Sequence, residues 1–452
     1  MTPHAPRIAL AVVLLLCACK PPGEGVIALE GGTLIDGSGT APAADALVLV
    51  EQGHIRAVTR MSEADVPRGA QVVNVAGKTI IPGLIDAHAH VERWAAGRYI
   101  AWGVTTVRDM HSRADSGFAL RNDLNLAAIL GPRMFTAGPL IDGAPPTYKD
   151  ATGVAVGAEA RKAVDQRAVA GADYIAIYTR ITPALLRPLM DEAGTLRLAV
   201  AAHLGKIDAL AAARAGVASI EHMSGVVEAA SPNPASYYRA HDRFLAGWTM
   251  EETGWGRLDS GAIARTARVL ARSRVAIVPT LVQHEMLSRL NDPTLLTRPT
   301  MADVPRWAAS VRDVAGLLKR SGWRPADFAA FRRGRARQDQ FVREFKRAGG
   351  LIAAGSDAAS PLLVPGAALH DELELLVSAG LTPLEAIGAA TRQAAQLLHA
   401  DSLGVLAPGK VADLVVLNGN PATDIAATRD IAWVMTRGRI VYPDSVRRGW
   451  PK

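Results

Sequence analysis

The chain has 452 residues, of which 49% are hydrophobic and 21% charged, a composition typical of a globular protein and not of a disordered one. Its 50 Lys and Arg residues against 43 Asp and Glu residues give a formal charge of +7. The basic residues are scattered in pairs such as Arg332–Arg333 and form no run, so we expect no nucleic-acid partner. The length suits one large domain with a smaller companion.

The N-terminal segment is typical of an export signal. A positive residue lies within residues 1–7, and residues 8–16 form a wholly apolar run. That run is far shorter than the roughly 20 residues that a membrane-spanning helix needs. We therefore predict a cleaved signal peptide at residues 1–19, followed by a linker at residues 20–25.

The end of this segment, Leu16-Cys17-Ala18-Cys19, resembles a bacterial lipobox. The resemblance implies cleavage before Cys19, a lipid on its sulfur, and a lipid-anchored protein of the cell envelope, in the outer membrane or periplasm of a Gram-negative host. Simple cleavage nearby is the alternative. Since both cysteines lie here, the mature chain would have no internal disulfide and no cysteine chemistry in catalysis.

Residues 26–80 contain short segments in which apolar and polar residues alternate, separated by glycines, and residues 404–445 show the same pattern. We predict a small, antiparallel β-sandwich domain assembled from both ends of the chain. Residues 81–403 would then form an inserted domain.

The inserted region alternates short apolar runs with helical stretches, which predicts parallel strands with crossover helices. Its fold class is therefore α/β, as a distorted TIM (β/α)8 barrel with polar, helix-prone insertions near residues 231–260 and 284–334. The eight predicted strands are residues 79–85, 103–107, 133–136, 174–178, 198–202, 218–220, 275–280 and 351–354.

The strongest local motif is the pair His88 and His90 at the end of the first predicted strand. Residues two apart on an extended chain point to the same side and can bind one ion together. A lone His-x-His pair is a weak motif. The position at a strand's carboxyl end makes it more specific, because barrel chemistry is located there.

Three further candidates follow later predicted strands in the same way: His203, His222 and Asp357. Five coincidences of this kind are improbable if the residues were structural only, so we predict a metal site formed by all five.

The chain from about residue 31 to residue 441 resembles the amidohydrolase superfamily, near its imidazolonepropionase and Xaa-Pro dipeptidase branches. The resemblance rests on the motifs Pro82-Gly-Leu-Ile-Asp-Ala-His-Ala-His90, Gly103-Val-Thr-Thr-Val-Arg-Asp109, Gly355-Ser-Asp357, Ala390-Thr391 and Leu403-Gly-Val-Leu-Ala-Pro-Gly-Lys-Val-Ala-Asp-Leu-Val-Val-Leu417. It implies a metal-dependent hydrolase with a distorted TIM barrel beside a β-sandwich.

Imidazoles and a carboxylate suit Zn²⁺ or another divalent first-row metal, which lowers the pKa of a bound water toward ~7. The resemblance implies that Asp357 is both ligand and base, and that His222 helps to polarise the scissile carbonyl. We expect cleavage of an amide-like C–N bond in a small molecule, such as a dipeptide, an N-acyl amino acid or a cyclic amide.

One position departs from the dipeptidase branch. Where that branch has a carboxylated Lys that bridges two metals, this chain has Ala176, within Gly171-Ala-Asp-Tyr-Ile-Ala-Ile-Tyr178. A methyl group cannot compensate the repulsion of two close dications. We therefore expect one metal per chain, held by His88, His90, His203 and Asp357.

Two alternatives remain open from the sequence. One is a binuclear metallopeptidase with a different bridge, and the other is an inactive envelope lipoprotein that only binds its ligand. The residues Tyr178, His111, His284, Arg180 and Lys206 are possible contributors without an assigned role, and the sequence predicts no oligomeric state.

Overall fold

A computed structural model describes residues 24–113 and 116–450. The predicted signal peptide, Cys17 and Cys19 lie outside the described residues. Within the described ranges, no helix is long and apolar enough to cross a membrane.

The described residues form strands in two regions, a terminal sheet and a central parallel system. The strands are β1 Val26–Leu34, β2 Ala43–Glu51, β3 His54–Arg60, β4 Gln71–Asn74, β5 Thr79–Pro82, β6 Leu84–Ala89, β7 Val104–Asp109, β8 Arg133–Thr136, β9 Ile141–Gly143, β10 Thr152–Val154, β11 Ile175–Ile177, β12 Val200–Ala202, β13 Ser219–Glu221, β14 Ala276–Val278, β15 Leu414–Leu417, β16 Ile431–Thr436 and β17 Arg439–Val441.

Most helices follow the central strands, and others fill the two insertions. They are α1 Ala96–Ala101, α2 Gly117–Asn125, α3 Gly157–Val169, α4 Pro183–Thr195, α5 Ala209–Ala215, α6 Val226–Ala230, α7 Ala235–Ala240, α8 Phe244–Trp255, α9 Ser260–Arg272, α10 Leu281–Ser288, α11 Ala309–Arg312, α12 Val314–Ser321, α13 Pro325–Arg347, α14 Ala367–Ser378, α15 Pro383–Ala389, α16 Arg392–Leu397 and α17 Pro443–Arg448.

The two ends of the chain share one mixed sheet in the order β17-β16-β15-β5-β1-β2-β3, with β4 also paired to β1. The ends meet where β15 runs antiparallel to β5, with Val415 opposite Ile81. The sheet packs around a buried core that includes Leu29, Val48 and Leu414. The expected antiparallel character holds for β1–β2–β3 but not throughout, because β4 and β5 pair with β1 in parallel. The exact domain boundaries stay predictions.

The central strands form two parallel sheets, β6-β7-β8 and β10-β9-β11-β12-β13-β14. Backbone hydrogen bonds connect the two sheets, both directly and through residues 351–359. The Asp173 N–H donates to Thr136 O at 2.9 Å, the Ala353 N–H to Ile277 O at 3.1 Å, and the Ala87 N–H to Ala354 O at 2.9 Å. Helices pack outside these strands, and the α/β prediction of a distorted barrel type is confirmed.

Three details differ from the predicted strands. The run 79–85 divides at Gly83, where an added Cβ would lie 2.2 Å from Thr105 Oγ1. Consequently β5 belongs to the terminal sheet and β6 alone enters the barrel. Residues 351–354 form only a bridge at Ile352, and the short strands β9 and β10 were not predicted.

The insertion helices form a core of their own, which includes Met286, Phe328, Phe331 and Leu363. Residues from α8, α10 and α12 also contribute to the wall of a cavity of about 800 Å³. The predicted insertions therefore enclose the space above the strand ends.

Candidate active site

The five predicted site residues lie at the carboxyl ends of the central strands. His88 belongs to β6 and His90 follows it, His203 follows β12, His222 follows β13, and Asp357 follows the bridge at Ile352. All five line one cavity of about 800 Å³.

The closest grouping joins three of them. The Asp357 Oδ1 atom lies 3.0 Å from His90 Nε2 and 3.4 Å from His88 Nε2. The potential ligand atoms of these three residues all lie within 4.8 Å of one another. The His222 ring centroid is 4.4 Å from that of His88, and the His203 centroid is 4.7 Å from that of His222. The structure thus brings all five together, with His203 and His222 at the side of the three-residue group.

Two of these residues have an unusual backbone conformation. His222 and Asp357 both have φ of 58°, a region that costs a non-glycine residue of order 1–3 kcal/mol. The neighbouring strands hold them there, because the His222 N–H donates to Val278 O at 2.9 Å and the Asp357 N–H to His88 O at 2.8 Å. The strand ends therefore fix both side chains toward the cavity.

A buried carboxylate orients His88. Glu221 Oε2 lies 2.8 Å from His88 Nδ1, so the opposite nitrogen, Nε2, is directed to Asp357. Arg108 donates to Glu221 Oε1 at 2.5 Å and to Ala87 O at 2.7 Å. Carboxylates of this kind fix the tautomer and orientation of metal-binding histidines.

The electrostatics of the group fit a cation. Burial opposes ionisation of Glu221, but the Arg108 guanidinium and the His88 ring lower the pKa of Glu221 to about 2. Burial likewise opposes protonation of His88, yet hydrogen bonds and charge from Asp357 and Glu221 raise its pKa to about 9. Burial also raises the pKa of Asp357, but the hydrogen bonds from His88 and His90 outweigh it and hold that pKa well below its usual range. One carboxylate, that of Asp357, beside the imidazoles of His88, His90 and His203 forms a donor set that Zn²⁺ and similar ions prefer.

The other two histidines are neutral. Desolvation and the charge of His88 lower the pKa of His203 to about 3 and that of His222 well below its usual range. His222 Nδ1 lies 2.7 Å from Thr280 Oγ1, which leaves Nε2 directed into the cavity. Neutral imidazoles can each offer a lone pair to a metal ion or donate one hydrogen bond.

Ala176 is buried beside Met110, Leu140, Tyr174 and Tyr178. The side chains of residues 174, 176 and 178 alternate with Ile175 and Ile177, which belong to the outer core. Ala176 therefore faces the barrel interior, and its surroundings are apolar.

The unassigned residues divide into two groups. Tyr178, His111 and Arg180 line the cavity, and the Tyr178 hydroxyl lies 3.3 Å from that of Tyr148. His284 lies behind the site, where Nε2 is 3.1 Å from His222 O and Nδ1 is 2.6 Å from Glu252 Oε1. Lys206 forms an ion pair with Asp242 away from the cavity lining.

The sequence reasoning missed Glu221, Arg108 and Thr280. A signal was present for the first of these, because Ser219 and Glu221 alternate along a strand whose inner face must be buried. A charged residue there requires a partner, but the sequence does not identify Arg108 as that partner.

The fold and the site together define a metal-dependent hydrolase of the barrel type. The sequence profile of the amidohydrolase family matches residues 79–441, which is most of the chain. The chain therefore belongs to the amidohydrolase family, hydrolases that act on carbon–nitrogen bonds and generally bind divalent metals. A search of curated protein sequences gives no significant match.

Solved structures agree with this membership. A prolidase-like protein from Bifidobacterium longum is 26% identical, with a TM-score of 0.70 over 94% of this chain and 98% of that one. A Xaa-Pro dipeptidase with methionine bound in its active site is 20% identical, with a TM-score of 0.68 over 92% and 100%. A bottromycin amidohydrolase is 21% identical, with a TM-score of 0.71 over 95% and 89%. The last two likenesses concern the fold alone.

Proposed function

We propose that the protein hydrolyses an amide-like C–N bond in a small molecule, with one divalent metal ion at the strand ends. The observation that carries the proposal is the group of His88, His90 and Asp357, whose potential ligand atoms converge inside the main cavity. His203 would complete the ligand set, and His222 would act beside it. Zn²⁺ is the ion that best suits this donor set.

The cavity walls indicate the substrate class. Aromatic side chains of Tyr148, Phe244 and Trp248 offer apolar contacts, while Arg180 and Arg243 offer positive charge. A dipeptide or N-acyl amino acid has an apolar side chain and a carboxylate, which match the two kinds of wall. The names of the structural neighbours, a prolidase-like protein and a Xaa-Pro dipeptidase, support this class, and cyclic amides are the third candidate.

The side chains of this site can position and move the proton of the reaction. Asp357 lines the same cavity as the four histidines, so its carboxylate can take a proton from an attacking water and return it to the leaving nitrogen. His222 stays neutral, and Thr280 fixes its ring so that Nε2 can donate to the scissile carbonyl. A bound divalent ion supplies the positive charge that makes water a nucleophile at neutral pH.

A single ion is favoured by the surroundings of Ala176. The methyl group of Ala176, in a buried cluster with Met110, Leu140 and Tyr174, offers no anion that could bridge two ions. Without that anion, the mutual repulsion of two dications a few ångströms apart is poorly compensated.

The deciding experiment compares wild type with a His88→Ala/His90→Ala variant. Both proteins are loaded with Zn²⁺, and elemental analysis measures the number of ions per chain. Both are then screened for hydrolysis of dipeptides, N-acyl amino acids and cyclic amides. We expect the variant to lose one ion per chain and all turnover, and chelation to abolish turnover of the wild type. A loss of two ions would contradict the single-metal proposal, and no turnover by the metal-loaded wild type would favour a binding protein.

We also propose that the mature protein is anchored in the cell envelope by a lipid on Cys19. The support is the apolar run followed by Leu16-Cys17-Ala18-Cys19. In a Gram-negative host, Cys19→Ala should move the protein out of the membrane fraction, whereas the neighbouring Cys17→Ala should leave it there. Equal fractionation of the two variants would contradict the anchor.

A further inference from the structure

A second group of potential metal ligands lies under the insertion helix α8, apart from the residues that line the main cavity. It consists of Glu228 on α6, His241 directly after α7, and Glu251 on α8. Their potential ligand atoms all lie within 4.8 Å of one another, and each residue is at most 5% exposed. None of the three belongs to the lining of the main cavity.

The orientation of His241 is fixed by two glycines. A Cβ added at Gly247 would lie 2.4 Å from His241 Nδ1, and one at Gly205 would lie 2.7 Å from the same atom. The Nδ1 edge of the ring therefore packs against the backbone of these glycines. The opposite nitrogen, Nε2, faces Glu228 Oε1 at 3.4 Å.

The group has unused hydrogen-bonding capacity. Both carboxylate oxygens of Glu228 and both ring nitrogens of His241 are buried and lack a hydrogen-bond partner among the described residues. Glu251 Oε1 accepts one bond, from the Gly225 N–H at 3.0 Å. Buried polar atoms without a partner are costly, so a cluster of four requires an explanation.

We propose that Glu228, Glu251 and His241 Nε2 form a second divalent-cation site, with a structural role. Two carboxylates balance the charge of a dication, and the lone pair of an imidazole nitrogen completes a set of donors that suits Zn²⁺ or Mn²⁺. The ligand atoms of one such ion lie about 3–4 Å apart, so small side-chain rotations from the observed spread are sufficient.

The ion would join three helices that shape the main cavity. It would connect α6, which follows the His222 strand, to the end of α7 and to α8. Arg243, Phe244 and Trp248 lie between His241 and Glu251 in the chain and form part of the cavity wall. The second site would therefore fix the substrate-binding face of α8 without contacting the substrate.

Metal counting in the variant without the first site tests this directly. The His88→Ala/His90→Ala variant, stripped with chelator and reloaded with Zn²⁺ or Mn²⁺, should retain about one ion per chain. Adding Glu228→Gln to that variant should remove this ion. A folded double variant that binds no metal would overturn the proposal of a second site. That outcome would not contradict the proposed hydrolase function, which rests on the first site.

A second measurement uses the otherwise intact protein, in case the double variant does not fold. Glu228→Gln should bind one ion fewer than wild type and should lose that ion's contribution to the metal-induced rise in Tm. Glu372→Gln is the matched control, since burial raises the pKa of Glu372 to about 8 and the neutral amide resembles its protonated state. If the cluster is only an ion pair beside a protonated carboxyl, Glu228→Gln leaves the metal count unchanged, which would overturn the proposal.

Discussion

His88 lies between two carboxylates with different tasks. Asp357 lies in the cavity and faces His88 Nε2, whereas Glu221 is fully buried and faces His88 Nδ1. The orientation of the ring, and with it the direction of its metal-binding lone pair, depends on Glu221. A site with correct ligands but a free ring would bind metal less well.

Glu221→Gln should therefore weaken metal binding about 10–100-fold, because losses of this size follow removal of such supporting carboxylates. Competition against a chelator measures the affinity. The Tm should also fall, since Arg108 then lacks its buried anion. Ser219→Ala is the control, as it keeps the carboxylate and removes one hydrogen bond to it, together with one acceptor for Arg108. Unchanged affinity in folded Glu221→Gln would contradict the assigned role.

Asp357→Asn removes the proposed base while keeping the shape of the side chain. We expect turnover to fall by at least ~10²-fold, the usual scale of general acid–base catalysis. The control is Asp150→Asn, which changes an exposed carboxylate that pairs with His111 and does not line the cavity. Full hydrolysis by a metal-loaded Asp357→Asn protein would remove this residue from the mechanism.

Some residues of the candidate site could be predicted from the sequence, and others could not. His88, His90 and Asp357 were identifiable because each follows an apolar strand, and the carboxyl ends of parallel strands meet at one face. Arg108 on β7 and Glu221 on β13 contact each other although they are 113 residues apart in the sequence. Pairing over such a separation is a property of the packed barrel and is not encoded in local spacing.

Among the elements, the position of Gly83 shows where pattern reasoning fails. Residues 79–85 form one apolar run, yet the chain leaves the terminal sheet and enters the barrel within it. Both strands are buried, so hydrophobicity alone gives no boundary between them. The close approach of Thr105 is what requires a glycine at this point. Strands β9 and β10 were not predicted because each contains a glycine and neither shows a run of apolar residues.

Gly355 occupies a comparable position before Asp357. A Cβ there would lie 2.6 Å from Val278 Cγ1 and 2.7 Å from His88 Cβ. Gly355→Ala should displace β6 from the Asp357 segment, lower the free energy of unfolding by about 1–3 kcal/mol, and reduce metal content. Urea unfolding and elemental analysis measure both effects.

Gly388→Ala is the matched control for this prediction. It lies within α15, and a Cβ there meets nothing within 4 Å. Alanine at this position should stabilise the protein by roughly 0.5–1 kcal/mol and leave metal content unchanged. Equal behaviour of the two variants would show that the contact between Gly355 and His88 does not matter.

For the whole molecule, the junction between the barrel and the terminal sheet depends on polar contacts as well as on the apolar core. His370 on α14 is fully buried there. Its Nε2 atom lies 2.9 Å from Trp102 O, and its Nδ1 atom lies 2.9 Å from Thr428 Oγ1 in the segment before β16. One imidazole thus connects α14 to residues that precede β7 and β16.

This junction should make stability depend on pH. Burial, helped by the positive charge of Arg429, lowers the pKa of His370 to about 3. In the unfolded chain the pKa is about 6.5, so below that pH the unfolded state binds a proton that the folded state does not. The neutral junction is fully stabilising above pH 6.5, and its contribution decreases as the pH falls toward 3.

His370→Gln keeps a side-chain donor for Trp102 O but cannot titrate. Between pH 7.5 and pH 5.0, the free energy of unfolding of wild type should therefore fall by about 2 kcal/mol more than that of the variant. Urea unfolding of chelator-treated protein at the two pH values measures the difference. The control is His54→Gln, which replaces an exposed histidine on β3. Between the two pH values, its free energy of unfolding should fall by about as much as that of wild type. Parallel pH dependence of wild type and His370→Gln would mean that the acid sensitivity of the molecule arises elsewhere than at this junction.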